Sequence, residues 1–288
     1  MSQTLLYKLD NLIEGLVVKR PSKYIKTPYV ADIKCNDSDM EVLGHTPALG
    51  CCGLADVNAR VLMTVSPQAK STTICKNKAN MRCSHTVYLS IVQDQIIGIH
   101  PKLAETLTEE ALKNNLLTRL QNIRSYRREV TIKVKDKVDS RFDFAGIDCN
   151  GIPFIMEVKN VPLADYEDVL AKDRVKMDFT GRAFDSKVAY FPDGYRKKVT
   201  DTVSPRALKH IQELTTIKKG SNIRCIMCYV IQRTDVNRFQ PSVIDPEYRS
   251  AFAKAVEAGV EIITLVVRWT REGEAYFVRD DLPVTAFN

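Results

Sequence analysis

The chain reads as two domains: an all-β barrel over residues 1–95, then an α/β unit over residues 96–288. Three observations predict this division. Short runs rich in β-branched and aromatic residues, broken by Pro, Gly, Asn and Ser clusters, fill the first hundred positions. After them, helical periodicities alternate with strand-like runs, the pattern of an α/β unit. The length of 288 residues lets each unit bury a core of its own.

The strands expected in the barrel are residues 12–19, 29–33, 60–65, 86–91 and 95–99. Thr108 is placed as the N-cap of a linking helix. Glu109 and Glu110 follow it, and Leu112, Leu116, Leu117, Leu120 and Ile123 recur at helical spacing. Residues 129–134 alternate as a strand, with Val130, Ile132 and Val134 on one face and Glu129, Thr131 and Lys133 on the other. Residues 142–147 and 152–158 form a hairpin about Asn150-Gly151. Residues 165–198 are polar and basic and read as a long surface segment. Pro205, at the first position of a helix that continues through Leu208, Ile211 and Leu214, is well placed there. A buried strand at 223–231, a helix at 247–258 and strands at 261–267 and 276–278 complete the chain.

The hairpin carries the chemistry. Asp143, Glu157 and Lys159 are the residue types with which a divalent cation and a phosphate are held and activated. A two-residue turn would set Asp143 against Val158 and leave Glu157 on the other face. A three-residue loop over 149–151, with Gly151 left-handed, sets Asp143 against Glu157, and this longer loop is the prediction. Lys159 then shares the face of Glu157, with Val158 in the core beneath. The competing reading is a hairpin whose solvated face carries three charges.

Net charge is +7. Between Arg119 and Arg141 stand eight Lys/Arg against three acidic residues, and between Arg196 and Arg224 eight against two. Such local fields favour a polyanion, a solvated charged face being the alternative. Tyr24 and Tyr29, interleaved with Lys23 and Lys26, fit either a stacking platform for single-stranded bases or half-buried barrel aromatics. The eight cysteines suit a reducing compartment. Cys225 and Cys228 have ligand spacing but lie in an apolar strand with no second pair. No apolar run reaches the ~20 residues of a membrane span, so a cytoplasmic location is expected, or a nuclear one in a eukaryote, with no membrane partner. No phosphate-loop or dinucleotide fingerprint occurs.

The motifs in view resemble the sugar fermentation stimulation protein family over nearly the whole chain, in the family's order. They are the run from Lys19 and Arg20 through Ser22, Lys23 and Tyr24; Ser140-Arg141-Phe142-Asp143-Phe144; Glu157-Val158-Lys159; Phe191-Pro192-Asp193; Arg206 to Leu214; and Asp235 to Tyr248, ending in Gly259-Val260-Glu261. The resemblance implies an OB-like N-terminal barrel, a C-terminal domain of the restriction-endonuclease-like, PD-(D/E)xK type, and DNA binding. Carried over, Asp143 and Glu157 become ligands of Mg²⁺ or Mn²⁺, Lys159 the catalytic lysine, and Glu129 a further ligand, directly or through water. Arg141 would contact the scissile phosphate. Lys19, Arg20, Lys23, Tyr24 and Arg206, within the matching motifs, are candidates to hold nucleic acid, and Lys209 and His210 on their helix either reach the phosphate or face solvent. The chain departs from the pattern at residues 45–52, and where Glu105-Thr106 replaces a usual Asn-Arg pair. The function expected is a metal-dependent DNA nuclease; the alternative is a non-catalytic, regulatory DNA-binding protein. Single- or double-stranded DNA, RNA as a substrate, and a homodimer are left open.

Overall fold

The computed structural model describes residues 4–38, 40–47, 53–67, 82–192 and 202–285. The chain begins not in the barrel but in the larger unit: β1 (Leu5–Lys8) pairs antiparallel with the last strand, β16 (Glu274–Arg279). Leu6 and Leu9 are buried there. The expected unit of residues 1–95 is therefore redrawn, because the first strand caps the edge of the C-terminal sheet.

The barrel is built from β2 (Ile13–Lys19), β3 (Val30–Cys35), β4 (Glu41–His45), β5 (Arg60–Val65) and β6 (His85–Val92). The ladder runs β4-β3-β2-β5-β6, and β6 returns to pair parallel with β4, closing five strands on one another. Numbered within the barrel, the order is 1-2-3-5-4-1, that of an OB-like barrel. β7 (Gln95–Gly98) adds a sixth strand on β6, so the barrel sheet extends past residue 95. Val17, Ile33, Val42, Val61, Met63, Val87 and Ile97 fill the interior, joined by Leu163 from the larger unit.

α1 (Pro101–Lys113) links the units. Thr108 does not cap it. Pro101 holds the first helical position and His100 the cap, while Thr108 is buried mid-helix, its hydroxyl donating to the Ala104 carbonyl at 2.8 Å. The helix stops at Asn114 and Asn115, the latter left-handed at φ 54°. Leu117 and Leu120 are buried beyond it in turns, so their helical spacing reflects packing and not helix.

The larger sheet is ordered β1-β16-β15-β13-β10-β9-β8. Its centre, β10 (Pro153–Val161), β13 (Arg224–Ile231) and β15 (Glu261–Trp269), is parallel, and β8 (Ser125–Val134), β9 (Val138–Ile147), β16 and β1 flank it antiparallel. α1 and the barrel residues Leu62, Leu89, Ile91 and Ile96 cover one face. α3 (Pro205–Gly220) and α4 (Pro246–Glu257) cover the other. The segment expected as irregular surface holds β11 (Ala164–Asp165), a short α2 (Ala171–Arg174) and β12 (Lys187–Phe191); β12 pairs with β14 (Val236–Pro241) in a small third sheet. Ion pairing offsets the burial of its Lys187, which pairs together with Arg233 on the buried Asp235.

Candidate active site

The turn between β9 and β10 has the predicted form. Asp148 N donates to Ile152 O at 2.9 Å, Gly151 N to Asp148 O at 3.1 Å, and Gly151 is left-handed at φ 84°. The loop is therefore residues 149–151, and the ladder pairs Phe154 with Gly146 and Met156 with Phe144. The next pair in that register is Asp143 with Glu157. There the backbone ladder stops, and Asp143 Oδ2 instead accepts the amide of Val158 at 2.7 Å.

The interruption coincides with a change of face. Phe144 belongs to the core beneath α1, whereas Phe142, two residues earlier, belongs to the core beneath α3 and α4. In a regular strand the two would share a face. β8 makes the same change opposite: Tyr126 packs on the α1 side and Ile132 on the other. Glu129, between the ladder pairs Arg128 with Phe144 and Val130 with Phe142, takes a left-handed backbone at φ 54°. That conformation is costly for a residue with a Cβ, and it lies directly across from Asp143.

Glu157 and Lys159 share one face of β10, as expected, and His210 of α3 closes over them. Glu157 Oε1 ion-pairs with Lys159 and lies within hydrogen-bond distance of His210 Nδ1. His210 Nδ1 is 3.5 Å from Lys159 Nζ, and its ring packs at 5.8 Å from that of Phe142. Glu157 Oε2 is buried with no hydrogen-bond partner among the described residues. Burial raises the Glu157 carboxyl, but Lys159 and His210 outweigh it, so the group sits below its ordinary range. Burial pushes Asp143 the other way, up to about 7; Glu157 and Glu105 add to the rise, and the Val158 amide and Lys159 oppose it. Two carboxylates side by side, one reluctant to ionise, form a place short of positive charge.

These groups line a cleft of about 700 Å³ between the units. Asp143, Glu157, Lys159 and Asn160 stand with Glu105 of α1, Tyr29 and Pro47 of the barrel, and Ser204 to Ala207 at the start of α3. Ser204 makes no side-chain capping bond. Glu105 escaped the sequence reading as a site residue. The only sign of it was that Glu105-Thr106 breaks the family's pattern, and its position on the inner face of α1 shows only in three dimensions.

Several expected residues lie elsewhere. Glu129 is exposed, ion-paired with Arg141 at 3.4 Å, and neither lines the cleft. The left-handed turn at Glu129 accompanies this outward placement. Arg20 is no surface cation: its side chain is 7% exposed, donates to the Pro28 and Ala55 carbonyls and pairs with Asp56. Lys23 pairs with Glu41 at 2.5 Å and lies over the Tyr24 ring, while Lys19 is exposed at the end of β2. Lys209 turns away to the Asp139 carbonyl at 2.7 Å. His210, expected to touch nucleic acid, is buried against Glu157. Arg206 is exposed and lines the cleft. Much of the first basic cluster is also spent internally, Arg128 on Glu105 and Glu109 and Lys133 on Asp139. Cys225 and Cys228 are buried on opposite faces of β13, so they do not converge on one site, and burial pushes both thiols up to about 12.

Comparison with known proteins bears on the fold and the family. The family pattern described as the sugar fermentation stimulation protein RE domain matches residues 102–172 and 180–273. A sugar fermentation stimulation protein homolog of Crocosphaera subtropica is 27% identical over 285 residues, covering 98% of this chain and 99% of the relative. One from Pseudomonas syringae pv. tomato is 31% identical over 182 residues, 62% of this chain and 63% of the relative. The structure of Pyrococcus furiosus SfsA in complex with Ca²⁺ superimposes with a TM-score of 0.71 at 19% identity, covering 98% of this chain and 99% of that one. The fold is shared end to end, and the chain belongs to the sugar fermentation stimulation protein family.

Proposed function

We propose that this protein is a metal-dependent nuclease that hydrolyses DNA phosphodiester bonds, its larger unit being of the PD-(D/E)xK type. One observation carries the reading. Asp143, fixed on the Val158 amide, and Glu157, with a buried and unpartnered Oε2, face one cleft beside Lys159. The donor set fits a hard divalent cation, Mg²⁺ or Mn²⁺: oxygen ligands from two carboxylates, one of them held reluctant to ionise by burial and then by the other. The Pyrococcus furiosus relative was solved with Ca²⁺, a cation of the same ligand preference. When bound, such an ion lowers the pKa of water and neutralises charge on phosphate.

The chain's own residues supply the rest. His210 and Lys159 hold Glu157 by Oε1, which leaves the buried Oε2 without a hydrogen-bond partner among the described residues. Lys159, recessed between Glu157 and His210, places an ammonium where charge develops on the phosphoryl oxygens. Arg206, in the first turn of α3, presents a cation to a phosphate on the substrate backbone, at a helix start where Ser204 makes no side-chain capping bond. Lys159→Ala is expected to abolish cleavage of plasmid DNA in Mg²⁺ or Mn²⁺ while leaving affinity in a gel shift nearly intact; undiminished cutting refutes the assignment. Mn²⁺ is also expected to raise the melting temperature of the natural chain, and not of Asp143→Asn, a readout independent of activity.

A second reading, DNA binding without catalysis, is favoured by a specific observation. Among the described residues no three His, Cys, Asp or Glu side chains converge as a ligand group. A salt-sensitive gel shift with no metal-dependent cutting supports that reading.

A further inference from the structure

Beside Pro47, the barrel contributes to the cleft an aromatic ring with a fixed backbone and a free face. Tyr29 is 40% exposed, and its ring and hydroxyl have no partner among the described residues. Its backbone is pinned: the amide donates to Thr27 Oγ1 at 3.4 Å and the carbonyl accepts from Thr46 N at 2.8 Å. The preceding carbonyl, of Pro28, takes Arg20 Nε at 2.8 Å and Thr46 Oγ1 at 3.5 Å. Arg20 thus acts on the site by fixing the loop that presents Tyr29. A ring held this way has the low ordering cost that stacking a base requires.

The floor of the same cleft is recessed. The side chains of Glu157 and Lys159 are 3% and 12% exposed. Among the described residues they line a cleft walled by Tyr29 and Pro47 of the barrel on one side and by the larger unit on the other, so a phosphate entering that cleft passes between the two. A duplex carries its second strand with every phosphate, whereas an unpaired strand enters alone with its bases free to stack on an aromatic face. A cleft of about 700 Å³ has the capacity of a drug-sized ligand and so of one or two nucleotides.

The geometry points to an unpaired DNA strand as the substrate, with one base stacked on Tyr29 and the adjoining phosphate drawn to Arg206 and so set above Asp143, Glu157 and Lys159. This rests on the nuclease reading for the phosphate and extends it to the substrate's form. The barrel wall selects for unpaired bases, and the basic residues of the opposite wall hold the backbone without reading sequence.

The test separates the two. Fluorescence anisotropy in EDTA compares a labelled oligo-dT strand with a duplex of the same length, for the natural chain, Tyr29→Phe, Tyr29→Ala and Arg206→Ala. Cleavage of both substrates is then assayed in Mn²⁺. The single strand is expected to bind more tightly than the duplex and to be cut in preference. Tyr29→Ala should weaken single-strand binding about 5- to 150-fold, the ~1–3 kcal/mol of one base–aromatic stack, while Tyr29→Phe keeps it and duplex binding is unmoved. Arg206→Ala should weaken both and flatten the salt dependence. Equal binding of the two forms, or an unchanged single-strand affinity in Tyr29→Ala with its melting curve intact, overturns the proposal even if the duplex is cut. Loss of single-strand binding in Tyr29→Ala with no cleavage of either substrate by the natural chain leaves the strand site standing and removes the nuclease.

Discussion

At the scale of single residues, the site is organised by conflict between neighbouring charges. Asp143 is raised by burial first and by Glu157 second, to about 7. The unfolded chain releases this proton near the ordinary carboxylate pKa of ~4. Between about pH 4 and 7 the folded state therefore holds a proton that the unfolded state has lost, and stability falls as pH rises through that window. Asp143→Asn removes the slope while keeping an oxygen for the Val158 amide. In EDTA the variant should match the natural chain near pH 4.5 and exceed it above pH 7.5, by an amount on the order of 2–4 kcal/mol at ~1.4 kcal/mol per pKa unit. Urea unfolding at the two pH values checks this; a variant equally less stable at both would show that Asp143 is not strained by its charge. Glu129 shows a different conflict, a left-handed backbone at a residue bearing a Cβ. Its side chain is taken by Arg141 on the outside, so the strain serves the change of face at Asp143 and not ligation by Glu129.

At the scale of elements, the hairpin sets the register on which the site depends. The arithmetic of a three-residue loop was legible in the sequence because Asn-Gly marks the turn and only one loop length puts both carboxylates level. Gly151 at φ 84° has Arg124 within 3.3 Å of where a Cβ would stand. Gly151→Ala should cost roughly 1 kcal/mol or more, and Gly151→Asn less, since Asn tolerates the left-handed region. Denaturant titration measures it, and a neutral alanine variant would mean the loop can adopt another form. α1 shows where local reading fails. The Leu periodicity from 112 to 123 continues past the helix because the following turns pack on the same core, and only backbone hydrogen bonds distinguish the two cases. α3 was read at its start from Pro205, but that its buried face delivers His210 to Glu157 follows from the crossing of helix and sheet.

At the scale of the whole molecule, the two units are interleaved. β1 crosses from the N-terminus to pair with β16, Leu163 enters the barrel core, and barrel residues share a core with α1. Deleting residues 1–9 removes two buried leucines and uncovers the β16 edge. At ~1.5–3 kcal/mol per leucine the loss is roughly 3–6 kcal/mol, with increased aggregation from the open edge. Thermal melting and light scattering test this, and an unaffected truncation would make β1 dispensable. No helix among the described residues is long and apolar enough to cross a membrane. The cleft exists only because the barrel is held against the larger sheet in this way. By itself the sequence determined four of the barrel's five closing strands, missing β4, together with the loop that levels Asp143 with Glu157 and Lys159 on the face of Glu157, because turn residues and strand alternation act over a few neighbouring positions. The tertiary structure alone decided that Glu105, Tyr29 and His210 join them and that Glu129, Arg20 and Lys209 do not. Those assignments depend on which faces meet across a hundred residues of chain, and the cost of burying or pairing each charge is set only where the elements pack.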